Sequence, residues 1–500
     1  MVIGALLLLG GSSDAATAPG DAAADPYIER SGTERAPLAA SSVEPASQSG
    51  AGISRSGSKK LPIGFGDVLL VSTDAGLRGA VFDEAVAAGS TVVRLSVSWR
   101  QIAPADLTPA FEATDPADPQ YDWSAVDAAI GTAVAHGQRP LLMIGEAPDW
   151  AEGSGRPASA LAGTWKPKPT DVADFGTAIA RRYSGSFSAL PRVRDYILWN
   201  EPNLETNLTP VWKGKSGKKP AGPLHYKKMI RAFYKAVHGV SGKNRVITGG
   251  TAPYGADPGV LNMRPLLFWR KVLCVRSNGK AQKRCQVPKF DVLAHHPINT
   301  SGGPRRSAIS PDDISTPDLH NLIDVLRTAE KAGNVEPKGK RPVWATELWW
   351  ESNPPDPAGV SLNRQADYYS EAIYLLWKQG ASMVLPYQVR DDTYDGSPGR
   401  TSFETGAYFV DGKAKPAQRA IRFPFVGDRK SNKKVLVWGV APKSGRAVIT
   451  QKGKGKRRLA KLDGKRGRVF KTKVRIRKGT GKHKLQAKIG GTKSRKWKLK

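Results

Sequence analysis

Cysteine is almost absent from this chain, which has only Cys274 and Cys285 among its 500 residues. No cysteine or histidine pattern of the kind that holds structural zinc accompanies them, so we expect neither a metal site nor a cofactor. The two cysteines bracket a basic loop, CVRSNGKAQKRC. In an oxidising compartment they should form one local disulfide, and two unpaired thiols are the alternative.

Long hydrophobic runs are also missing. No run approaches the roughly 20 apolar residues needed to cross a bilayer, so we expect no membrane span. The run Val2–Leu9 precedes small residues that end in Ala16-Thr17-Ala18. Although no positive charge precedes Val2, this pattern is typical of an export signal and predicts a secreted protein, with a disordered N-terminus as the alternative. We assign 1–18 to the signal and the Ala-, Ser-, Gly- and Pro-rich stretch 19–60 to a disordered linker.

Acidic residues are scarce at the C-terminal end. Residues 427–500 contain 28 Lys or Arg and two Asp, whereas the rest of the chain has 49 basic and 42 acidic residues. Apolar and cationic residues alternate there, as in FKTKVRIR, which predicts a small antiparallel β domain over 425–500. Such a sheet should attract a polyanion. Outside a cell we expect an anionic cell-wall polymer or an acidic polysaccharide rather than a specific nucleic acid, and a solubilising appendage without a ligand is the alternative.

The region 61–424 alternates short apolar runs with segments of helical period, which is typical of βα units. Eight runs are predicted strands: PIGFGDVLLV, TVVRLSVSW, RPLLMIG, VRDYILWN, NRVITGG, FDVLAHH, RPVWATE and SMVLPYQ. The predicted helices are Leu77–Ala88, Trp123–His136, Val172–Tyr183, Leu224–Val240, Pro265–Val272, Asn321–Ala332 and Arg364–Gln379. This order predicts an α/β fold, a (β/α)8 TIM barrel. A doubly wound open sheet is the alternative, but it would normally carry a Gly-rich phosphate turn after its first strand.

Two acidic residues directly follow predicted strands. Glu201 follows the fourth strand, in WNEPN, and Glu347 follows the seventh, in WATELWW. The loops at the carboxyl ends of the strands form the active sites of barrels. A retaining glycosidase needs one carboxylic acid and one carboxylate about 5 Å apart. Glu201 and Glu347 are therefore candidate catalytic residues, and solvated loop carboxylates are the alternative.

These motifs resemble clan A of the glycoside hydrolases, the group that contains families 5 and 39. The resemblance covers roughly 61–424 and includes VVRLSVSWRQIAP, YDWSAVDAAI, APDWA and FDVLAHHP. It implies that Glu201 is the acid/base and Glu347 the nucleophile, that Asn200 binds the substrate 2-hydroxyl, that Arg94 keeps the nucleophile ionised, and that His296 lines the pocket. A positive charge beside Glu347 would lower its pKa.

The sequence departs from this pattern at Ile298, where such enzymes often have a tyrosine that orients the nucleophile. The other assignments have alternatives too. Arg94 could form a purely structural ion pair, and Asn200 could be a turn residue. His295 and His296 are neighbours on a strand and point in opposite directions, so at most one of them should face the pocket.

Aromatic residues gather at or just past the predicted strand ends. Aromatic faces stack on sugar rings, but large aromatics also fill barrel cores. We expect about half of these residues to contact substrate, and the candidates are Trp99, Trp150, Trp349 and Tyr387, among a set that also includes Trp199, Trp212 and Trp350.

Taken together, these patterns predict a secreted, monomeric retaining glycoside hydrolase that acts on a polysaccharide or oligosaccharide and associates with the cell wall. Two alternatives are open. One is a non-catalytic sugar-binding protein on a barrel scaffold, and the other is a wall-associated protein that binds polyanions and uses the barrel only as a scaffold.

Overall fold

The computed structural model of the protein describes residues 58–299, 302–396, 402–453, 455–477 and 483–499. The predicted export signal and nearly all of the predicted linker lie outside these residues. Among the described helices, none has the length and apolar character that a membrane span requires.

Eight parallel strands form a closed barrel. The first five strands are hydrogen-bonded to one another in chain order, and the last three strands are paired in the same way. Single bridges close the ring, between Ile247 and Val292 and between Ile63 and Val384. The predicted (β/α)8 fold is therefore confirmed, with strands β1 Phe65–Gly66, β2 Val92–Ser98, β3 Arg139–Gly145, β4 Asp195–Leu198, β5 Arg245–Thr248, β6 Leu293–His295, β7 Val343–Ala345 and β8 Ala381–Val384.

Helices surround the barrel, and all seven predicted helices are present with ends within a few residues of those predicted. Amphipathic segments bury one face against the strands. The helix over residues 362–379 is one such segment, and it ends where Gly380 adopts a left-handed φ of 118°. The helices are α1 Ala75–Ala87, α2 Trp99–Ile102, α3 Ser124–Ala135, α4 Pro169–Arg182, α5 Gly222–Val240, α6 Pro265–Val272, α7 Leu319–Lys331, α8 Leu362–Gln379 and α9 Pro416–Arg422. Short 3-10 helices cover Val68–Val71, Asp149–Ala151 and Thr316–Asp318, and two loops carry two-residue strand pairs, Trp212–Lys213 with Lys219–Pro220 and Ser352–Asn353 with Val360–Ser361.

The barrel interior is packed with side chains. Because successive residues of a strand point to opposite faces, alternate residues fill the ring and the others meet the helices. The interior forms a separate apolar cluster of Val92, Leu141, Ile197, Ile247, Val292, Ala294, Trp344, Met383 and Leu385.

The first predicted strand was too long. Val68–Val71 was predicted as part of it but forms a 3-10 helix, so the first strand ends at Gly66. The cause is Asp67, whose carboxylate accepts hydrogen bonds from the backbone N–H groups of Leu69 and Val389, both at 2.8 Å. These bonds turn the chain away from the barrel wall and tie it to the loop that follows β8.

The C-terminal region is an antiparallel β domain, as predicted, and its described residues form two sheets. The strands are β9 Phe425–Arg429, β10 Lys434–Val440, β11 Gly445–Gly453, β12 Gly455–Gly464, β13 Val469–Arg475, β14 Lys484–Ile489, β15 Thr492–Lys493 and β16 Trp497–Lys498. One sheet has the order β9–β10–β13, and the other has the order β12–β11–β14–β15, with β16 also paired to β14. The domain packs on α8, where the Tyr374 hydroxyl donates to the Asp428 carboxylate at 2.6 Å and Arg495 pairs with Asp367 at 3.2 Å.

Cys274 and Cys285 are joined in a disulfide, with 11 residues of sequence separation. We expect the Cys274→Ser/Cys285→Ser double variant to lose about 3 kcal/mol of unfolding free energy, because the bridge no longer restricts the unfolded chain. Urea unfolding of the wild type and the double variant measures this loss. Equal stability of the two proteins would show that the bridge contributes nothing.

Candidate active site

The fourth and seventh strands bring Glu201 and Glu347 together at the mouth of the barrel. Both residues are about 5% exposed. One oxygen of each carboxylate and one ring nitrogen of His296 all lie within 4.8 Å of one another. Residues 146 positions apart in the sequence therefore face one common point.

A continuous chain of polar contacts links the two carboxylates. His296 Nδ1 lies 2.8 Å from Glu201 Oε1 and 3.7 Å from Glu347 Oε2. Arg94 Nη2 donates to Glu347 Oε2 at 2.8 Å, and Arg94 Nη1 lies 3.3 Å from His296 Nε2. All four side chains are buried, so these contacts act in a medium of low polarity, where electrostatic effects are strong.

The neighbours of Glu347 favour its ionised form. Burial alone would raise the pKa of its carboxyl group, but the electrostatic effects of His296 and Arg94 and the hydrogen bond from Arg94 hold the pKa below its ordinary value. Trp349 also lowers this pKa as a side-chain donor. The indole N–H of Trp349 is buried and has no well-aligned hydrogen-bond partner among the described residues, so its contact with Glu347 is weak.

The backbone around Asn200 is strained. Trp199 and Glu201 have positive φ angles of 72° and 36°, in a region that non-glycine residues rarely adopt and that costs about 1 to 3 kcal/mol each. The Glu201 N–H donates to the Gly250 carbonyl at 2.9 Å, and the Trp199 indole donates to the Asn207 carbonyl at 2.6 Å. These bonds hold the turn in place. Within this turn the buried Asn200 Oδ1 has no partner among the described residues.

Two glycines, Gly250 and Gly66, which sequence motifs do not single out, make room for this network. A Cβ atom on Gly250 would lie 2.3 Å from His296 Nε2, and one on Gly66 would lie 2.8 Å from Arg94 Nε. Each glycine follows or ends a barrel strand, so the only sequence signal was a glycine at a strand end. That signal alone does not reveal which side chain needs the space.

The two neighbouring histidines separate as strand geometry requires. His296 faces the carboxylates, whereas His295 lies between the Thr251 hydroxyl and the Ile314 carbonyl, each at 2.9 Å from a ring nitrogen. Burial lowers the pKa of His295 to about 3. His295 is therefore a neutral structural histidine.

The predicted aromatic contacts divide into two groups. Trp99 is only 1% exposed and stacks on Phe175 at 5.2 Å. This packing leaves Trp99 little free ring surface for a sugar, and its predicted contact with substrate stays a prediction. Trp150 packs edge-on against Trp99 and donates its indole N–H to the Pro104 carbonyl, but it is partly exposed, so its predicted role stays a prediction.

Tyr387 and Trp349 belong to the second group, close to Glu347. The Arg94 guanidinium lies 5.9 Å from the centre of the Tyr387 ring. Burial first, and then the charge of Glu347, raises the pKa of the Tyr387 hydroxyl well above its ordinary value, so it stays protonated and can donate a hydrogen bond. Ile298, in the position where a tyrosine was expected, is buried, and Arg94, Trp349 and Tyr387 surround the carboxylate instead.

The comparison with solved structures supports the fold. A family 39 glycoside hydrolase from the gut symbiont Bacteroides cellulosilyticus WH2 superposes with a TM-score of 0.53 at 16% identity, over 84% of this chain and 81% of that one. A glucosidase from Croceicoccus marinus gives a TM-score of 0.49 at 14% identity, over 84% of this chain and 94% of that one. A monomeric β-xylosidase from Caulobacter crescentus CB15 gives 0.48 at 14% identity, over 84% and 98%.

The sequence itself gives no such match. No protein-family model matches the chain, and no curated protein does. The similarity to the Bacteroides enzyme confirms that this chain shares the predicted barrel fold of family 39.

Proposed function

We propose that this chain is a secreted retaining glycoside hydrolase that cleaves O-glycosidic bonds of a polysaccharide or oligosaccharide. The observation that carries the proposal is the approach of Glu201 and Glu347, whose carboxylate oxygens come within 4.8 Å. Retaining enzymes hold their two carboxyl groups about 5 Å apart, whereas inverting enzymes keep them roughly 6.5 to 9.5 Å apart to admit a water molecule. The short separation supports direct attack by a carboxylate.

The reaction proceeds in two displacements. In the first, a Glu347 carboxylate oxygen bonds to the anomeric carbon while the bond to the leaving oxygen breaks, and Glu201 gives its proton to that oxygen. In the second, the Glu201 carboxylate takes a proton from water, the water oxygen bonds to the same carbon, and the bond to Glu347 breaks. In this proposal Asn200, whose buried Oδ1 has no partner among the described residues, accepts a hydrogen bond from the sugar.

A panel of aryl glycosides and of glucan, xylan, mannan, galactan and uronic-acid polymers tests this function. We expect at least one substrate to be cleaved. NMR spectra recorded during the first turnovers should show a product with the anomeric configuration of the substrate. An inverted product would overturn the retaining mechanism, and the absence of cleavage across the panel, together with saccharide binding, would favour a non-catalytic binding protein.

Secretion is part of the proposal. It is supported by the predicted export signal over 1–18 and by the disulfide, since disulfides persist mainly in oxidising compartments. When the full chain is expressed in a bacterium, we expect the exported protein to begin at Pro19. Retention of the uncut chain inside the cell would contradict this part.

Arg94 should set the acid limb of the pH profile. In the Arg94→Gln variant the buried Glu347 loses its cation, so its pKa rises and a higher pH is needed to ionise it. We expect the acid limb of kcat/KM to move upward by roughly one to two pH units. Arg100→Gln is the matched control, because Arg100 pairs with Asp149 near the surface. An unmoved acid limb in the Arg94 variant would show that Arg94 serves only the fold.

A further inference from the structure

The second sheet of the C-terminal domain has two chemically opposite faces. Its inner face is apolar and buried, formed by Ala447, Ile449, Leu485, Ala487 and Ile489. Opposite residues in an antiparallel pair point to the same side of the sheet. The register therefore defines which residues form the outer face.

The outer face is a grid of positive charge. Lys452 lies opposite Lys456 on one side and opposite Lys484 on the other, and Lys484 in turn lies opposite Lys498. Among the described residues, the register places nine cations on this side of the sheet. One of them, Arg446, lies beside an acid. The other eight, on five strands, form the surface that we call the cationic face: Lys452, Lys456, Arg458, Lys461, Lys484, Lys488, Lys493 and Lys498. All are exposed except Lys452, which is partly buried.

Almost nothing on this surface neutralises the charge. Within the described strands, one acid points outward, Asp463, and it lies 3.6 Å from Arg446 on the same face. Partial burial, followed by the charges of Lys496, Lys456 and Lys493, lowers the pKa of Lys452. The cations therefore repel one another, and an anion laid across them would relieve that repulsion.

The spacing of the grid suits an extended polymer. Neighbouring strands lie about 4.8 Å apart, and alternate residues of one strand about 6.7 Å apart. The outward residues of the described strands include no Phe, Tyr or Trp. A surface that binds single-stranded nucleic acid would normally offer aromatic rings for base stacking, and this face also has no helix to enter a major groove.

We propose that the cationic face binds a carboxylated polysaccharide as an extended chain. Such a polymer presents repeated negative charges along a flexible strand, so ion pairs alone can hold it on a surface without aromatic rings. The preference for a polysaccharide over other polyanions rests on the proposed function of the attached barrel. The binding itself does not require hydrolysis.

Binding of the full chain to polygalacturonate, with a neutral glucan as the reference polymer, tests this inference. We expect retention by polygalacturonate at about 50 mM NaCl, a loss of most of it at about 300 mM as the charges are screened, and no retention by the glucan. Phosphatidylserine vesicles and a single-stranded oligonucleotide are compared at the same salt. Tighter binding to either of these would overturn the choice of a polysaccharide.

Two quadruple variants, each with four positive charges removed, distinguish the effect of the cationic face on binding from the effect of the protein's net charge. In the first, Lys456, Arg458, Lys484 and Lys488 are each replaced by Gln. In the second, the exposed barrel-loop residues Lys215, Lys218, Lys280 and Lys283 are each replaced by Gln. We expect affinity for polygalacturonate to fall more than about tenfold in the first and less than about twofold in the second.

Thermal unfolding of both variants identifies any loss of fold, and an equal fall in affinity for the two variants would overturn the proposal. Hydrolysis is measured separately on the panel above. If no substrate is hydrolysed while polygalacturonate is still bound, only the proposed hydrolase function is rejected. If a substrate is hydrolysed but polygalacturonate is not bound, only the proposed role of the cationic face is rejected.

Discussion

Replacing Glu347 with Gln should abolish hydrolysis, with kcat lower by about 10⁴-fold or more. The amide oxygen is a poor nucleophile and carries no charge, so no group attacks the anomeric carbon in the first displacement. Arg94 and His296 remain in place to hold the amide, and the fold should be retained. Initial rates on an aryl glycoside measure the effect.

The matched control is Glu112→Gln, which makes the same chemical change at an exposed side chain outside the pocket. It should retain wild-type activity. A Glu347→Gly variant adds a sharper test, because azide can enter the vacated space and attack from the side of the missing carboxylate. We expect a glycosyl azide of inverted configuration. Wild-type hydrolysis in the Gln variant would eliminate Glu347 as the nucleophile.

The loss of activity in the Glu201→Ala variant should depend on the leaving group of the substrate. With a poor leaving group, which needs a proton, we expect kcat to fall by about 10² to 10⁴-fold. With an activated aryl group the first displacement should survive, and the second should become slow because no base activates water. A burst of released phenol followed by a slow steady state is the expected time course.

Azide distinguishes the role of Glu201 from that of Glu347. In Glu201→Ala it should accelerate the second step and give a glycosyl azide with the configuration of the substrate, the reverse of the result at Glu347. Glu112→Gln again controls for the loss of one acidic group. If activated and unactivated substrates lose activity equally, Glu201 does not act as the acid.

Much of the fold could be predicted from the sequence because periodicity is a local property. The runs RPLLMIG and Pro265–Val272 match β3 and α6 residue for residue. The error at Val68–Val71 arose because an apolar run of four does not distinguish a strand from a helical turn. The turn is fixed instead by a hydrogen bond that the backbone N–H of Val389, more than 300 residues away, donates to the Asp67 carboxylate.

The candidate site was predictable only in part. Glu201 and Glu347 could be selected because each directly follows an apolar run, and strand ends of a barrel converge on one surface. Trp99 satisfied the same rule and is nevertheless buried against Phe175. A strand-end position specifies a level along the barrel axis but not the direction in which a side chain points.

The sequence by itself therefore determined the order of strands and helices, the two acids at strand ends and the concentration of positive charge after residue 427, because each depends on neighbours in the chain. Only the tertiary structure decided that Arg94 and His296 join the two carboxylates, that Gly66 and Gly250 leave space for them, and that eight of the C-terminal cations share one face. Those arrangements depend on distances between residues remote in sequence, which closure of the barrel and pairing of the strands establish.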